Sequence, residues 1–153
     1  MENKKIKIYL AGPLFSEAEK NFNLELAEKL ETVGFEVFLP QRDGVEKNKP
    51  PYNEMGPNER RKAMFKFDCD KLLEADIFLI ILDGRVPDEG ACVELGIAYA
   101  QKYLNRDKKI LMGLQTDVRA AFIGSKLNPM LSVPLDFIVE TEKRLLEILK
   151  EKI

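Results

Sequence analysis

A doubly wound α/β domain, with five parallel strands and helices on both faces, is the fold the sequence predicts. Three observations predict it. Short apolar runs alternate with segments of helical period along the whole chain. The run Asp76 to Leu82 is almost continuously apolar, as a strand covered on both faces must be. Glycine and proline fall where those elements should stop.

Lys5 to Ala11 predicts the first strand, closed by Gly12-Pro13. Ser16 with Glu19 forms a capping-box pattern that opens a helix carrying Phe22, Leu24, Leu26, Ala27, Leu30 and Val33 and stopping at Gly34. Phe35 to Leu39 is the second strand. Gln41 to Pro57 is polar and rich in proline, glycine and asparagine, which predicts a loop that acts as a lid or orders on binding. Asn58 to Ala75 predicts a helix with Met64, Phe67, Leu72 and Leu73 inward and Arg60-Arg61-Lys62 exposed at its start. Strand three, Asp76 to Leu82, is followed by the loop Asp83 to Gly90 and a helix from Ala91 to Leu104. Lys108 to Leu114 is strand four. Gln115 to Leu131 is of mixed character, Phe137 to Val139 is strand five, and Glu140 to Lys150 is the last helix. Pro134 places strand five at a sheet edge. Length supports one domain over residues 1–153, with no repeat or low-complexity tract. In such flavodoxin-like sheets ligands sit beyond the carboxyl ends of the strands, so the loops at Gly12 to Ser16, Pro40 to Pro57 and Asp83 to Gly90 are where function is expected.

Composition narrows the chemistry. The chain has 24 Lys and Arg against 26 Asp and Glu, a net charge of −2 without blocks of one sign, which speaks against a nucleic-acid polymer as partner. Cys69 and Cys92 stand in unrelated contexts, which predicts reduced thiols and a cytoplasmic location. No apolar run approaches a membrane span, and Met1 to Lys7 has no signal-peptide pattern. The chain has no histidine, which removes the Ser–His and Cys–His systems and most zinc sites. Acid–base work then falls to carboxylates, Tyr, Lys or Cys, with no metal or cofactor expected.

Glu94 interrupts the apolar stretch Ala91 to Ala100, which predicts a deeply buried helix with one carboxylate in its first turn. Burial favours the neutral acid and the helix N-terminus the anion. A desolvated carboxylate held anionic suits a nucleophile; a capping or solvent-facing glutamate fits the spacing equally well. Asp88 lies six residues earlier in the feeding loop, and Asp68 lies on the preceding helix. Cleavage of a glycosidic bond needs such a pair, one carboxylate attacking the anomeric carbon and another protonating the leaving group.

Several segments in order carry a resemblance: Ile8-Tyr9-Leu10-Ala11-Gly12-Pro13, then Asp68 with Leu72 and Ala75-Asp76, then Pro87-Asp88-Glu89-Gly90-Ala91 with Glu94-Leu95-Gly96. Together they resemble the nucleoside 2-deoxyribosyltransferase family. The resemblance implies that Glu94 attacks the anomeric carbon of a 2′-deoxynucleoside, giving a covalent deoxyribosyl-enzyme that passes its sugar to a free nucleobase with retention. It implies that Asp68 and Asp88 hold the base or sugar and help protonate the departing base, and that Tyr9 contacts the nucleophile or sugar. Asn128, in Leu127-Asn128-Pro129-Met130, is similar to a segment that completes a neighbouring subunit's site, which implies a homo-oligomer; Pro129 departs from the family's form there. Gly12 and Gly90 are either backbone approaches to the ligand or simple turns. Arg42 is a solvated residue or touches a base or phosphate, and Cys92 reads as a small buried thiol.

Two other readings compete. One is an N-glycosidase that hydrolyses 2′-deoxynucleosides or their 5′-monophosphates; the loop Gly12 to Ser16 has no arginine for a phosphate. The other is a non-catalytic nucleotide-sensing domain on the same scaffold.

Overall fold

A computed structural model describes residues 4–119 and 127–152. Five strands form one parallel sheet: β1 (Lys7–Ala11), β2 (Glu36–Phe38), β3 (Ile77–Ile81), β4 (Ile110–Leu114) and β5 (Phe137–Val139), in the order β2-β1-β3-β4-β5. That is the flavodoxin-like order, with β5 at an edge as Pro134 foretold. From β1 the chain winds first to β2 on one side and then to β3 on the other. The crevice between β1 and β3 is therefore the switch point.

Helices α1 (Glu17–Thr32) and α6 (Glu142–Lys150) cover one face; α3 (Pro57–Glu74) and α4 (Glu89–Asn105) cover the other. Alternation along each strand builds both layers. Ile8, Leu10, Ile77, Leu79 and Ile81 pack toward α1 and α6, while Tyr9, Ala11, Phe78, Ile80 and Leu82 pack toward α3 and α4. The α1 capping box is complete, with Ser16 accepting from Glu19 N and Glu19 accepting from Ser16 N. Gly34, at φ +111°, takes the left-handed turn after α1 that a side chain would strain.

The structure changes several expectations. The segment after β2 is not structureless. It forms the one-turn helix α2 (Pro40–Asp43) and a 3-10 turn at Tyr52–Glu54, and Arg60 donates to the carbonyls of Tyr52 and Met55. Arg60 is thus an anchor for that loop rather than a solvated start of α3. On α3 only Leu72 is fully buried, and Leu73 faces outward. Within α1, Leu24 is partly exposed and Asn23 is buried instead, donating to Pro13 O and Gln41 Oε1. Gln41 is therefore tied to α1. Leu127 and Asn128 precede a short helix, α5 (Pro129–Ser132), while residues 120–126 of the mixed segment lie outside the described residues. No helix among the described residues is long and apolar enough to cross a membrane.

The largest correction concerns α4. Its apolar sequence predicted deep burial, yet only Ala91, Leu95 and Ala98 are buried. Val93, Gly96, Ala100, Tyr103 and Leu104 form a stripe on its outer side, with Tyr103 71% and Leu104 75% exposed. An apolar residue on every face of a helix does not require protein on every face of one chain.

Candidate active site

The site grows from β1. Tyr9 sits in register with Phe38 of β2 and Phe78 of β3, so the parallel sheet sets three aromatic side chains side by side on the α3–α4 face. The Tyr9 ring stacks on Phe38 at 5.3 Å and on Phe78 at 6.0 Å, centroid to centroid. Held between them, its hydroxyl donates to Glu94 Oε1 at 2.7 Å. That bond links β1 to α4 across the switch point and leaves Glu94 Oε2 as the oxygen without a partner among the described residues.

Electrostatics follow from this placement. Burial raises the Glu94 carboxyl to about 7; the Tyr9 hydroxyl opposes the rise, and the charges of Asp68 and Asp88 add to it. Burial alone carries the Asp68 carboxyl to about 6. The Tyr9 phenol is pushed well above its ordinary range, by burial first and the Glu94 charge next, so it remains a proton donor in the hydrogen bond. The expected source of Glu94's ionisation was the helix N-terminus. In the structure α4 begins at Glu89, two residues earlier than expected, which puts Glu94 in the second turn. Its anion is favoured by a phenol instead.

Asp88 is the N-cap of α4, its Oδ2 accepting from Ala91 N at 2.9 Å. Gly90 belongs to the same construction, since a Cβ there would lie 3.2 Å from Asp88 Oδ2. The loop before Asp88 is pinned from the other side. Asp83 accepts from the backbone N–H groups of Thr116 and Asp117 at 2.6 and 2.9 Å, and Asp117 accepts from Gly84 N at 3.2 Å. Gly12 is required by packing, because a Cβ would lie 2.9 Å from the Cβ of Ile81.

Tyr9, Glu94, Asp68 and Asp88 are thus brought together, from β1, α4, α3 and the loop before α4. Other residues singled out in the sequence are not. Arg42 is engaged by Glu31, Asp43 and the carbonyl of Val37, which makes it a structural anchor. Asn128 is exposed and caps α5 by accepting from Met130 N at 2.9 Å. Cys92 is only half-buried. Sequence reasoning missed Cys69, whose thiol is raised by burial and then by the charges of Glu94 and Asp68. It also missed Phe38 and Phe78. Their signal was present: each is an aromatic residue within a short apolar strand, as Tyr9 is.

A sequence model of the nucleoside 2-deoxyribosyltransferase family matches residues 8–148. The chain belongs to that family. Among its relatives, an uncharacterised protein of Ureaplasma parvum serovar 3 is 36% identical over 128 residues, covering 76% of this chain and 74% of that one. Among solved structures, the 2-deoxyribosyltransferase of Bacillus psychrosaccharolyticus superposes with a TM-score of 0.72 at 28% identity, over 91% of this chain and 89% of that one. A conserved protein of Enterococcus faecalis V583 gives the same TM-score of 0.72 at 25% identity, over 97% and 99%. A CMP N-glycosidase of Clostridium botulinum, at 23% identity and a TM-score of 0.55 over 96% and 99%, shares the fold. Membership in the 2-deoxyribosyltransferase family places this chain among nucleoside-modifying enzymes.

Proposed function

We propose that the protein is a nucleoside 2-deoxyribosyltransferase that exchanges the base of a 2′-deoxynucleoside through a covalent deoxyribosyl ester on Glu94. The observation that carries this reading is the Tyr9–Glu94 hydrogen bond beside a second raised carboxyl. Glu94 Oε2 attacks the anomeric carbon as the bond to the base nitrogen breaks. The electron pair of that bond goes to the base, which takes a proton from Asp68. An acceptor base then attacks the same carbon, Glu94 leaves as carboxylate, and the acceptor's N–H proton returns to Asp68. Two inversions give net retention. Asp68 suits the proton's role because a carboxyl carried to about 6 exchanges protons near neutrality. Asp88, committed through one oxygen to the α4 cap, orients the base or sugar with the other, and the backbones at Gly12 and Gly90 border the sugar.

Incubation with a deoxynucleoside, with and without a free acceptor base, tests the reading. Exchange that needs the acceptor, and a mass increase of one deoxyribosyl group lost in Glu94→Ala, is the expected result. Equal base release in both tubes would move the assignment to an N-glycosidase. Binding with no turnover at all would move it to a sensing domain.

The exposed stripe on α4 supports the homo-oligomer that the family resemblance implies. Its small residues, Gly96 and Ala100, lie between Val93 at one end and Tyr103 and Leu104 at the other. A second copy packed antiparallel about a two-fold axis sets the large residues of each helix against the small ones of the other. Val93 adjoins Glu94, so such a partner borders the site, where its Asn128 is proposed to reach. Tyr103→Glu is expected to convert the oligomer to monomer in sedimentation velocity, with activity falling in parallel. A wild-type chain that sediments as a monomer would refute the interface.

A further inference from the structure

Helix α3 presents one stripe toward the sheet and α4, made of Phe65, Asp68, Cys69 and Leu72 at the spacing i, i+3, i+4 and i+7. Burial along it is graded. Leu72 is wholly buried, Asp68 and Cys69 are half-buried, and Phe65 is 64% exposed. The direction of the helix explains the gradient. Its last residues sit at the amino ends of the strands, where Asp76 N donates to Lys7 O and the Lys109 ammonium donates to Leu72 O, so its N-terminal half points to the carboxyl edge. Three residues correspond to about 4.5 Å of rise, which carries Phe65 one step beyond Asp68 toward the mouth of the switch-point crevice. A phenyl ring is thereby left exposed on the face that holds the proposed proton donor. Phe67, its neighbour two residues on, is already used, edge-on against Phe38.

We infer that Phe65 is a base-stacking residue: its ring forms a wall for the heterocycle of the nucleoside while Asp68, one turn deeper, meets a nitrogen of the same ring. The inference rests on the transferase reading above and adds the residue that sets affinity for the base. A phenyl face takes any flat heterocycle, because every base has a π-face, so Phe65 contributes affinity with little preference between purine and pyrimidine. It makes no contact with the anomeric carbon and so acts on binding rather than on bond breaking.

The test compares wild type, Phe65→Ala and Phe65→Trp on a deoxynucleoside and on 2-deoxyribosyl fluoride, a donor with the sugar but no base. Loss of a stacking contact is expected to raise KM for the nucleoside about five- to fifty-fold in Phe65→Ala, with kcat within about twofold. Phe65→Trp should restore KM to within about threefold of wild type, since the larger ring stacks as well. The burst of fluoride ion released as the deoxyribosyl-enzyme forms, with no acceptor base present, should be the same in all three, which a merely structural loss would not allow. An unchanged nucleoside KM in Phe65→Ala, or equal loss on both donors, overturns the assignment. A changed sedimentation coefficient with unchanged KM gives Phe65 to the subunit interface and also overturns it. If wild type cleaves neither donor, the failure belongs to the transferase reading itself.

Discussion

Glu94→Gln is expected to abolish turnover and at the same time to stabilise the protein. An amide cannot form the proposed glycosyl ester, so base exchange should fall by at least about a thousandfold, a loss of about 4 kcal/mol or more in transition-state stabilisation. Stability should move the other way. The folded carboxyl is carried to about 7 by burial and by the charges of Asp68 and Asp88, well above the ordinary range. Below the unfolded value the group is neutral in both states and costs nothing. As pH rises toward 7 the unfolded chain ionises first, so the folded state loses stability relative to it, and the loss is complete once folded Glu94 has ionised. Gln carries no such penalty and keeps an oxygen to accept from the Tyr9 hydroxyl. The gain at about pH 8 is then on the order of 2–3 kcal/mol, or about 5–10 °C in Tm, and it should vanish at about pH 4. Thermal melts of both proteins at the two pH values check this. A Glu94→Gln protein no more stable than wild type at the higher pH would mean that the carboxylate is not held in an unfavourable setting.

Sequence reasoning captured most of the frame. The three central strands are short apolar runs buried on both faces, and a run such as Ile77 to Ile81 has few other ways to fold. Their ends are marked by capping boxes and glycines, local devices that one chain displays openly. What it could not show depends on pairing. That Tyr9 lies between Phe38 and Phe78 is a matter of sheet order, which puts β1 between β2 and β3. That Lys109 is buried follows from the end of α3, where its ammonium donates to the carbonyls of Leu72 and Ala75; in sequence it is one of two lysines opening a strand. Arg42 invited a ligand role only because its partner Glu31 lies 11 residues away on α1. The apolar outer side of α4 misled for a different reason. Hydrophobic pattern reports that a face avoids water, not whether its cover comes from the same chain.

Tyr9→Phe isolates the hydrogen bond on which the site is organised. Phenylalanine keeps the ring between Phe38 and Phe78 and removes only the donor to Glu94 Oε1. The proposed mechanism needs Glu94 ionised while Asp68 still holds a proton. With those carboxyls carried to about 7 and about 6, kcat/KM should trace a narrow bell centred between the two values. The phenol is the one influence that favours the Glu94 anion against burial and two neighbouring acids. A hydrogen bond to a charged group contributes about 1.5–3 kcal/mol, so its loss should move the ionisation of Glu94 upward by about one to two pH units. A carboxylate that ionises later loses most at low pH. The bell should therefore lose height and broaden on its alkaline side, with kcat/KM falling about 10- to 100-fold at about pH 6 and by less above about pH 8. The ionisation of Asp68 owes its rise to burial alone, so the Phe variant leaves that group as it is. A uniform loss at every pH would reduce Tyr9 to a packing residue, and an unchanged profile would detach it from the chemistry altogether. The bell itself, lost in Glu94→Gln and lowered and broadened in Tyr9→Phe, would tie the phenol to the nucleophile through the proton that each of them controls.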